Sequence, residues 1–385
     1  MTEINYSDIA PFDGEKFHEH LSALVKEPGF EHAVKWVMPG VDYPSFAQKL
    51  LSVRSQDEFQ VGIMCPFLET LVAKTSNGLS CEGIENYIPG KAYTLISNHR
   101  DIVLDASFLN LCLVRNGLPT CEVAIGNNLL IYPWINDLVR VNGSFIVKRN
   151  TGMREALTAA RTLSAYIHHA INDKGKSVWI AHREGRAKDS NDRTQESLIK
   201  MLGLEGEDDS FIRHIKEVNL MPVAISYEFD PNDYLKAREF LLKKRDPEFK
   251  KSQRDDLFSM ETGLLQNKGR IHFALTDPLD NLIDARFSDN ADRAEVVPAI
   301  CEMIDNAIHS HYKLFPINYI AYDVLAGKKA FADQYTKEDV ESVNSYLDSQ
   351  LAKVDIEDLT DEEYGYMKRM MLTMYANPLR NKLNI

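Results

Sequence analysis

Ser97-Asn98-His99-Arg100-Asp101-Ile102-Val103-Leu104-Asp105 stands between two apolar runs, Ala92-Tyr93-Thr94-Leu95-Ile96 before it and residues 106–114 after it. The first run has the length of a strand and the second that of a helix. The stretch therefore reads as a buried strand that empties through a tight turn into a helix. A histidine falls at the carboxyl end of that strand, where open α/β sheets commonly hold functional groups. A neutral imidazole there, steered by a carboxylate one helical turn on, is a general base. The plainer reading is a histidine that satisfies hydrogen bonds at a turn, with Asp101 capping the helix. Three further segments of the chain decide between the two.

Outward from this stretch, short β-rich runs alternate with helical ones from 92 to about 279, the pattern of an α/β sheet. Strands are expected over 92–97, 122–125, 144–147, 177–181, 219–226 and 270–274. An amphipathic helix is expected over 151–172, stopped by Asp173-Lys174-Gly175. Residues 1–90 have few β-branched runs and read as a helical N-terminal region, with helices over 14–26, 43–55 and 59–75. The turn signal Asn86-Tyr87-Ile88-Pro89-Gly90-Lys91 closes that region. Beyond 284 the pattern is helical again, through 293–313. The expected architecture is α/β: a central mixed sheet flanked by helices over 91–285, with a helical C-terminal layer over 286–385.

The chain has 385 residues, more than a single core usually takes, so one large or two unequal domains are expected. Its net charge of −13 argues against nucleic acid as a partner, because phosphate backbones require a positive face. Five cysteines with no CxxC pair suggest reduced thiols in a cytosol-like compartment. Met1 to Asp8 has neither a basic nor an apolar stretch of the signal-peptide kind, and no run is long and apolar enough to span a membrane. The expected location is the cytoplasm, or the inner face of a membrane as a peripheral protein. His18-Glu19-His20 and His309-Ser310-His311 lack the carboxylate or cysteine company of a ligand set, so no metal site is expected. No P-loop or GxGxxG appears.

After His99 come Gly143-Ser144-Phe145-Ile146-Val147-Lys148-Arg149, then Trp179-Ile180-Ala181-His182-Arg183-Glu184-Gly185-Arg186-Ala187-Lys188-Asp189, then Asn219-Leu220-Met221-Pro222-Val223-Ala224-Ile225-Ser226-Tyr227-Glu228. In this order they resemble the four blocks of the glycerolipid acyltransferase superfamily, over about 90–230. The resemblance implies transfer of a fatty acyl group from acyl carrier protein or coenzyme A to the hydroxyl of glycerol 3-phosphate or lysophosphatidate. It needs no cofactor beyond that acyl thioester. His99 would be the base and Asp105 its carboxylate partner, with Asp101 as the alternative. Asn98, Lys148, Arg149, Glu184, Gly185, Arg186 and Lys188 would bind substrate, an arginine fork suiting a phosphate monoester.

Two departures from the family set this chain apart. The family's Asp comes five residues after the His, whereas Asp105 comes six after; and Glu-Gly-x-Arg is shortened here to Glu184-Gly185-Arg186. An aminoacyl lysolipid acceptor, or a catalytically inactive lipid- or carrier-binding module, are the alternatives these departures keep open. Two other segments bear on partners. The basic stretch over 236–254, with Phe240, Leu241, Leu242 and Phe249 interleaved, could meet anionic lipid or acyl carrier protein. The run Asn128-Leu129-Leu130-Ile131-Tyr132-Pro133-Trp134-Ile135 reads as core, as an acyl tunnel wall or as a bilayer contact.

Overall fold

Strand β2 (Thr94–Ser97) is four residues long and buried throughout, and successive side chains leave it in opposite directions. Leu95 enters one apolar cluster and Ile96 another, so the strand must be covered on both faces. The computed structural model describes residues 5–149, 152–206 and 210–385, and it shows that cover. Strands β1 (Leu79–Glu82), β2, β3 (Glu122–Gly126), β4 (Ser144–Val147), β5 (Val178–Ala181), β6 (Leu220–Tyr227) and β7 (Ile271–Leu275) form one sheet in the order β1-β7-β6-β2-β5-β3-β4. The strands from β2 to β6 all run parallel, β7 is antiparallel to β6, and β1 is parallel to β7. The fold is thus α/β with a mixed sheet. Because β2, β4 and β5 point the same way, His99, Arg149 and Arg183 leave the sheet at one edge.

Helices Cys65–Thr75 and Leu104–Arg115 cover the face holding Leu95, Trp179 and Ile225, through Leu68, Leu71, Phe108 and Leu109. Helices Met153–His168 and Arg293–Ser310 cover the face holding Ile96, Ile180 and Ala224, through Ile167, Val296, Ile300 and Ile304. The helices before β1 gather around Phe17, Leu21, Phe30, Leu50 and Phe59. Those after Pro316 gather around Ile320, Leu347 and Met371. No helix among the described residues is long and apolar enough to cross a membrane.

The local departures from the sequence reading have local causes. β1 lies within the stretch read as helical; it is a short edge strand whose residues alternate between half-buried and exposed, too weak a pattern to mark it. Helix Pro28–Val37, with proline at its first turn, was not anticipated. The helix expected over 59–75 is built as Gln56–Phe59, a π-turn at Gln60–Met64, and Cys65–Thr75. Pro66 has no N–H to give the preceding turn, which widens there. Thr151, the expected start of one helix, lies outside the described residues.

The end of β2 is fixed by a side chain that imitates backbone. Asn98 donates through Nδ2 to the Ile225 carbonyl at 2.9 Å and accepts from the Ile225 N–H at 2.8 Å. Its amide thus carries the β2–β6 ladder past the point where the main chain turns away. Asn98 is fully buried and lies outside the cavity wall described below, so its part is in the sheet and not at the substrate, where it was expected. Asn98→Ala leaves a buried N–H and C=O unpaired and should cost about 2–4 kcal/mol. A shift of the urea unfolding midpoint at unchanged slope measures this, and an unshifted midpoint refutes it.

Candidate active site

The turn after β2 is organised around one carboxylate. Asp105, in the first turn of helix Leu104–Arg115 and fully buried, accepts through Oδ2 from the N–H groups of Arg100 (2.6 Å) and Asp101 (3.0 Å). The same oxygen lies 2.8 Å from His99 Nδ1, and Oδ1 accepts from the Tyr227 hydroxyl at 3.1 Å. Burial, and then the Asp105 charge, hold the Tyr227 phenol well above its ordinary pKa, so it remains a donor. Asp101 does not meet the imidazole. Its Oδ1 accepts from the N–H groups of Val103 and Leu104 at the helix start, and its Oδ2 from Asn232. The carboxylate six residues after His99 is therefore its partner. With Nδ1 so placed, Nε2 is the ring nitrogen left to work, and His99 lines a large cavity. The edge of Trp179, itself tied to Ser97 Oγ at 3.0 Å, packs against the ring.

Behind His99 lies a second buried network. The Arg100 guanidinium grips both oxygens of Asp192 at 2.9 and 2.6 Å, and the Tyr312 hydroxyl donates to the same carboxylate. Burial alone would raise the Asp192 carboxyl; the Arg100 charge outweighs it and holds Asp192 below its ordinary value. His182, fully buried beside this pair, is pushed down to about 4, chiefly by burial. The network joins the His99 turn to the loop after β5. Two side chains of the last helix, Asp361–Leu383, also hold that loop: Asn377 donates to the Asp189 carbonyl at 2.7 Å and Asn381 to the Ser190 carbonyl at 3.3 Å.

The cavity measures about 1780 Å³ and reaches from His99 into the N-terminal helices. Phe30, Phe59, Leu130, Trp134 and Leu138 are among its apolar lining residues, and the run over 128–135, Ile131 apart, forms part of its wall. Lys148, Arg149, Glu184, Gly185, Arg186 and Lys188 all line the same cavity, from loops after β4 and β5. Several of these cations are already partnered. Lys148 reaches Asp8 at 3.3 Å, Arg149 lies 3.5 Å from Glu184, and Lys188 pairs with Glu239. Arg186 has no hydrogen bond or ion pair among the described residues, and its Nη1 is buried. Arg183, absent from the residues expected to bind, lines the cavity with a buried, unbonded Nε. Its signal in the sequence was only its place two residues past a strand.

The basic stretch over 236–254 is less available than its composition suggests. Lys236 is buried, bonded to Asp230 at 2.5 Å and to the Arg100 carbonyl at 3.1 Å. Lys243 and Lys251 pair with Glu239, Lys244 with Glu362 and Arg245 with Glu363. Its acidic partners include Glu239 within the stretch, Asp230 just before it, and Glu362 and Glu363 of helix Asp361–Leu383. Of the two His pairs, His20 meets Asp137 at 3.0 Å and His309 the Asp192 carbonyl at 3.0 Å.

Residues 78–222 match the Acyltransferase family model, a span that opens one residue before β1 and ends within β6. The segment carrying His99, Asp105, Arg149 and Arg186 lies within that match. A comparison with curated proteins gave no match. Among solved structures, the chain is similar to the 1-acyl-sn-glycerophosphate acyltransferase PlsC from Thermotoga maritima, at 13% identity over 74% of this chain and 93% of that one, with a TM-score of 0.37.

The buried imidazole of His182 gives the site region an acid limit. Unfolded, the ring takes its proton near 6.5; folded, at about 4. Above 6.5 both states are neutral. As pH falls from 6.5 towards 4 the unfolded chain binds the proton and the fold does not, so stability is lost across that window, by roughly 2 kcal/mol at pH 5. Asp233, raised by burial to about 6, works in the opposite sense, its contribution shrinking as pH rises from 3.8 to 6. Comparison of parent with His182→Gln isolates the histidine. Melting temperatures between pH 7.5 and 5 should fall more steeply for the parent, and parallel curves would rule the assignment out.

Proposed function

We propose that the protein is an O-acyltransferase of phospholipid synthesis, moving a fatty acyl group from a coenzyme A or acyl carrier protein thioester to the hydroxyl of glycerol 3-phosphate or lysophosphatidate. One observation carries the reading. The His99–Asp105 pair opens on a cavity whose wall combines apolar helices with arginines that have unbonded N–H groups. An acyl chain and an anionic acceptor need those two kinds of wall, and the histidine stands between them in chemistry.

In this reading the acceptor hydroxyl gives its proton to His99 Nε2 as its oxygen attacks the thioester carbonyl carbon. The imidazolium so formed is stabilised by Asp105, which also fixes the tautomer through Nδ1. The tetrahedral intermediate collapses with cleavage of the C–S bond, and the proton on Nε2 passes to the departing thiolate. Proton and acyl group are both accounted for by donor and acceptor. Tyr227 and the N–H groups of Arg100 and Asp101 keep the carboxylate in place throughout.

The acyl chain would lie along Phe30, Phe59, Trp134 and Leu138, and the acceptor's anionic end near Arg149 and Arg186. Peripheral attachment to a membrane is supported by aromatic side chains left exposed around the cavity: Trp36 and Tyr132 line it, and Phe258 stands on helix Gln253–Leu265, whose Leu257 and Met260 line it.

Purified protein given labelled palmitoyl-coenzyme A or palmitoyl carrier protein should acylate glycerol 3-phosphate or lysophosphatidate. His99→Ala should lower the rate by at least about 100-fold with melting temperature little changed. Asp105→Asn, which leaves the ring without its anionic partner, should lower kcat by a similar order. A His99→Ala protein as active as its parent would end the proposal, as would turnover confined to acceptors without phosphate.

A further inference from the structure

The loop after β5 holds a cation that no part of the mechanism above employs. β2 and β5 run parallel with Ser97 opposite Ala181, and the His182 N–H bonds the Ser97 carbonyl at 2.8 Å. Beyond these paired ends both chains turn off the sheet, with His99 and Arg183 each two residues past its strand. Both residues line the cavity. His99 and this guanidinium thus share one cavity wall.

That guanidinium is unusually placed among the charges nearby. Arg100 is gripped by Asp192, Lys188 and Lys251 by Glu239, and Arg149 faces Glu184. Arg183 has no carboxylate within 4 Å and no hydrogen bond among the described residues, and its Nε is buried. Arg186, on the other side of Gly185, is in the same condition at Nη1. Gly185 turns between them at a φ of +68°, in the left-handed region. Native structures rarely leave buried donors unbonded, and each that is left so calls for an explanation. Two donors of this kind, three residues apart in one cavity wall, ask for one multi-oxygen anion.

We infer that Arg183 is a second contact for the acceptor's anionic group, sharing with Arg186 the oxygens of its phosphate. The inference rests on the acyl-transfer reading and assigns a residue to acceptor specificity. One guanidinium fork satisfies a carboxylate, whereas a phosphate monoester has three free oxygens and room for two forks. Glu184, the loop's acidic residue, stands off this contact. Its side chain is 68% exposed and faces Arg149.

Arg183→Gln and Arg183→Lys test it, with kinetics and binding read separately. In Arg183→Gln the KM for glycerol 3-phosphate should rise about tenfold or more while kcat and the KM for palmitoyl-coenzyme A stay within about threefold; Arg183→Lys, which keeps charge but loses the fork, should fall between. Because no native bond is lost, the melting temperature should hold or rise. A fall in kcat at unchanged acceptor KM would move Arg183 to the thioester carbonyl and overturn the inference. A lowered melting temperature with both constants changed would make it structural. Calorimetric titration of glycerol 3-phosphate into His99→Ala, with and without Arg183→Gln, separates this inference from the reading beneath it. Weaker binding in the double variant upholds Arg183 even where the parent transfers nothing. Equal binding removes Arg183 even where transfer is robust. No binding by either removes both.

Discussion

The Asp105 carboxylate sets the geometry on which the rest of the site depends. Four donors converge on it: the His99 ring, the N–H groups of Arg100 and Asp101, and the Tyr227 hydroxyl. Two of these are main-chain groups of the turn, so the same charge that orients the imidazole also shapes the loop that carries it. The extra residue between His99 and its acid is absorbed there. Asp101 takes over the helix start, freeing Asp105 for the ring, and helical side chains lean back towards the N-terminus. The fourth donor comes from β6, two strand positions beyond the Ile225 that Asn98 grips. Sheet and turn are thereby tied together through β6.

This arrangement explains why the turn after β2 is so polar and so deeply buried. Arg100 and Asp101, on either side of the tight turn, are both closed to solvent. A buried charge is tolerated only when paired, and Arg100 meets that demand through Asp192. Burial raises the Asp101 carboxyl, and the neighbouring Asp105 raises it further. Helix Gln253–Leu265 closes over Asp101 at Gly263, where a Cβ would stand 2.1 Å from Oδ2. The glycine is what permits that approach. A turn bonded and packed on every side in this way holds the His99 ring in a fixed place.

The strands of the sheet were legible because each is an apolar run with buried faces on both sides, bounded by turn residues; six of the seven could be placed from the chain alone. β1 could not, since an edge strand of Leu-Ser-Cys-Glu has neither a continuous apolar run nor a strong alternation. At the site, the motif positions from His99 to Lys188 were readable as chemistry, but the role of each depended on partners distant in sequence. Asn98 sits beside His99 in sequence and still belongs to the sheet, because its partner Ile225 is 127 residues away. Arg183 was passed over because nothing local distinguishes a paired arginine from an unpaired one. The basic stretch over 236–254 misled for the same reason: Glu362 and Glu363, which neutralise part of it, lie more than a hundred residues on. Composition gives charge, and only packing gives its complement.

The two asparagines of the last helix have a consequence in time. The sheet, the His99 turn and every strand are encoded before residue 276, yet the main-chain carbonyls of Asp189 and Ser190 find Asn377 and Asn381 only when helix Asp361–Leu383 docks. Domains fold as units as the chain emerges from the ribosome. Until that helix has emerged, the loop beside the His99–Asp105 pair lacks two of its restraints. The order of synthesis makes the loop the last part of the site to be set, and ties it to the arrival of residues that never approach His99.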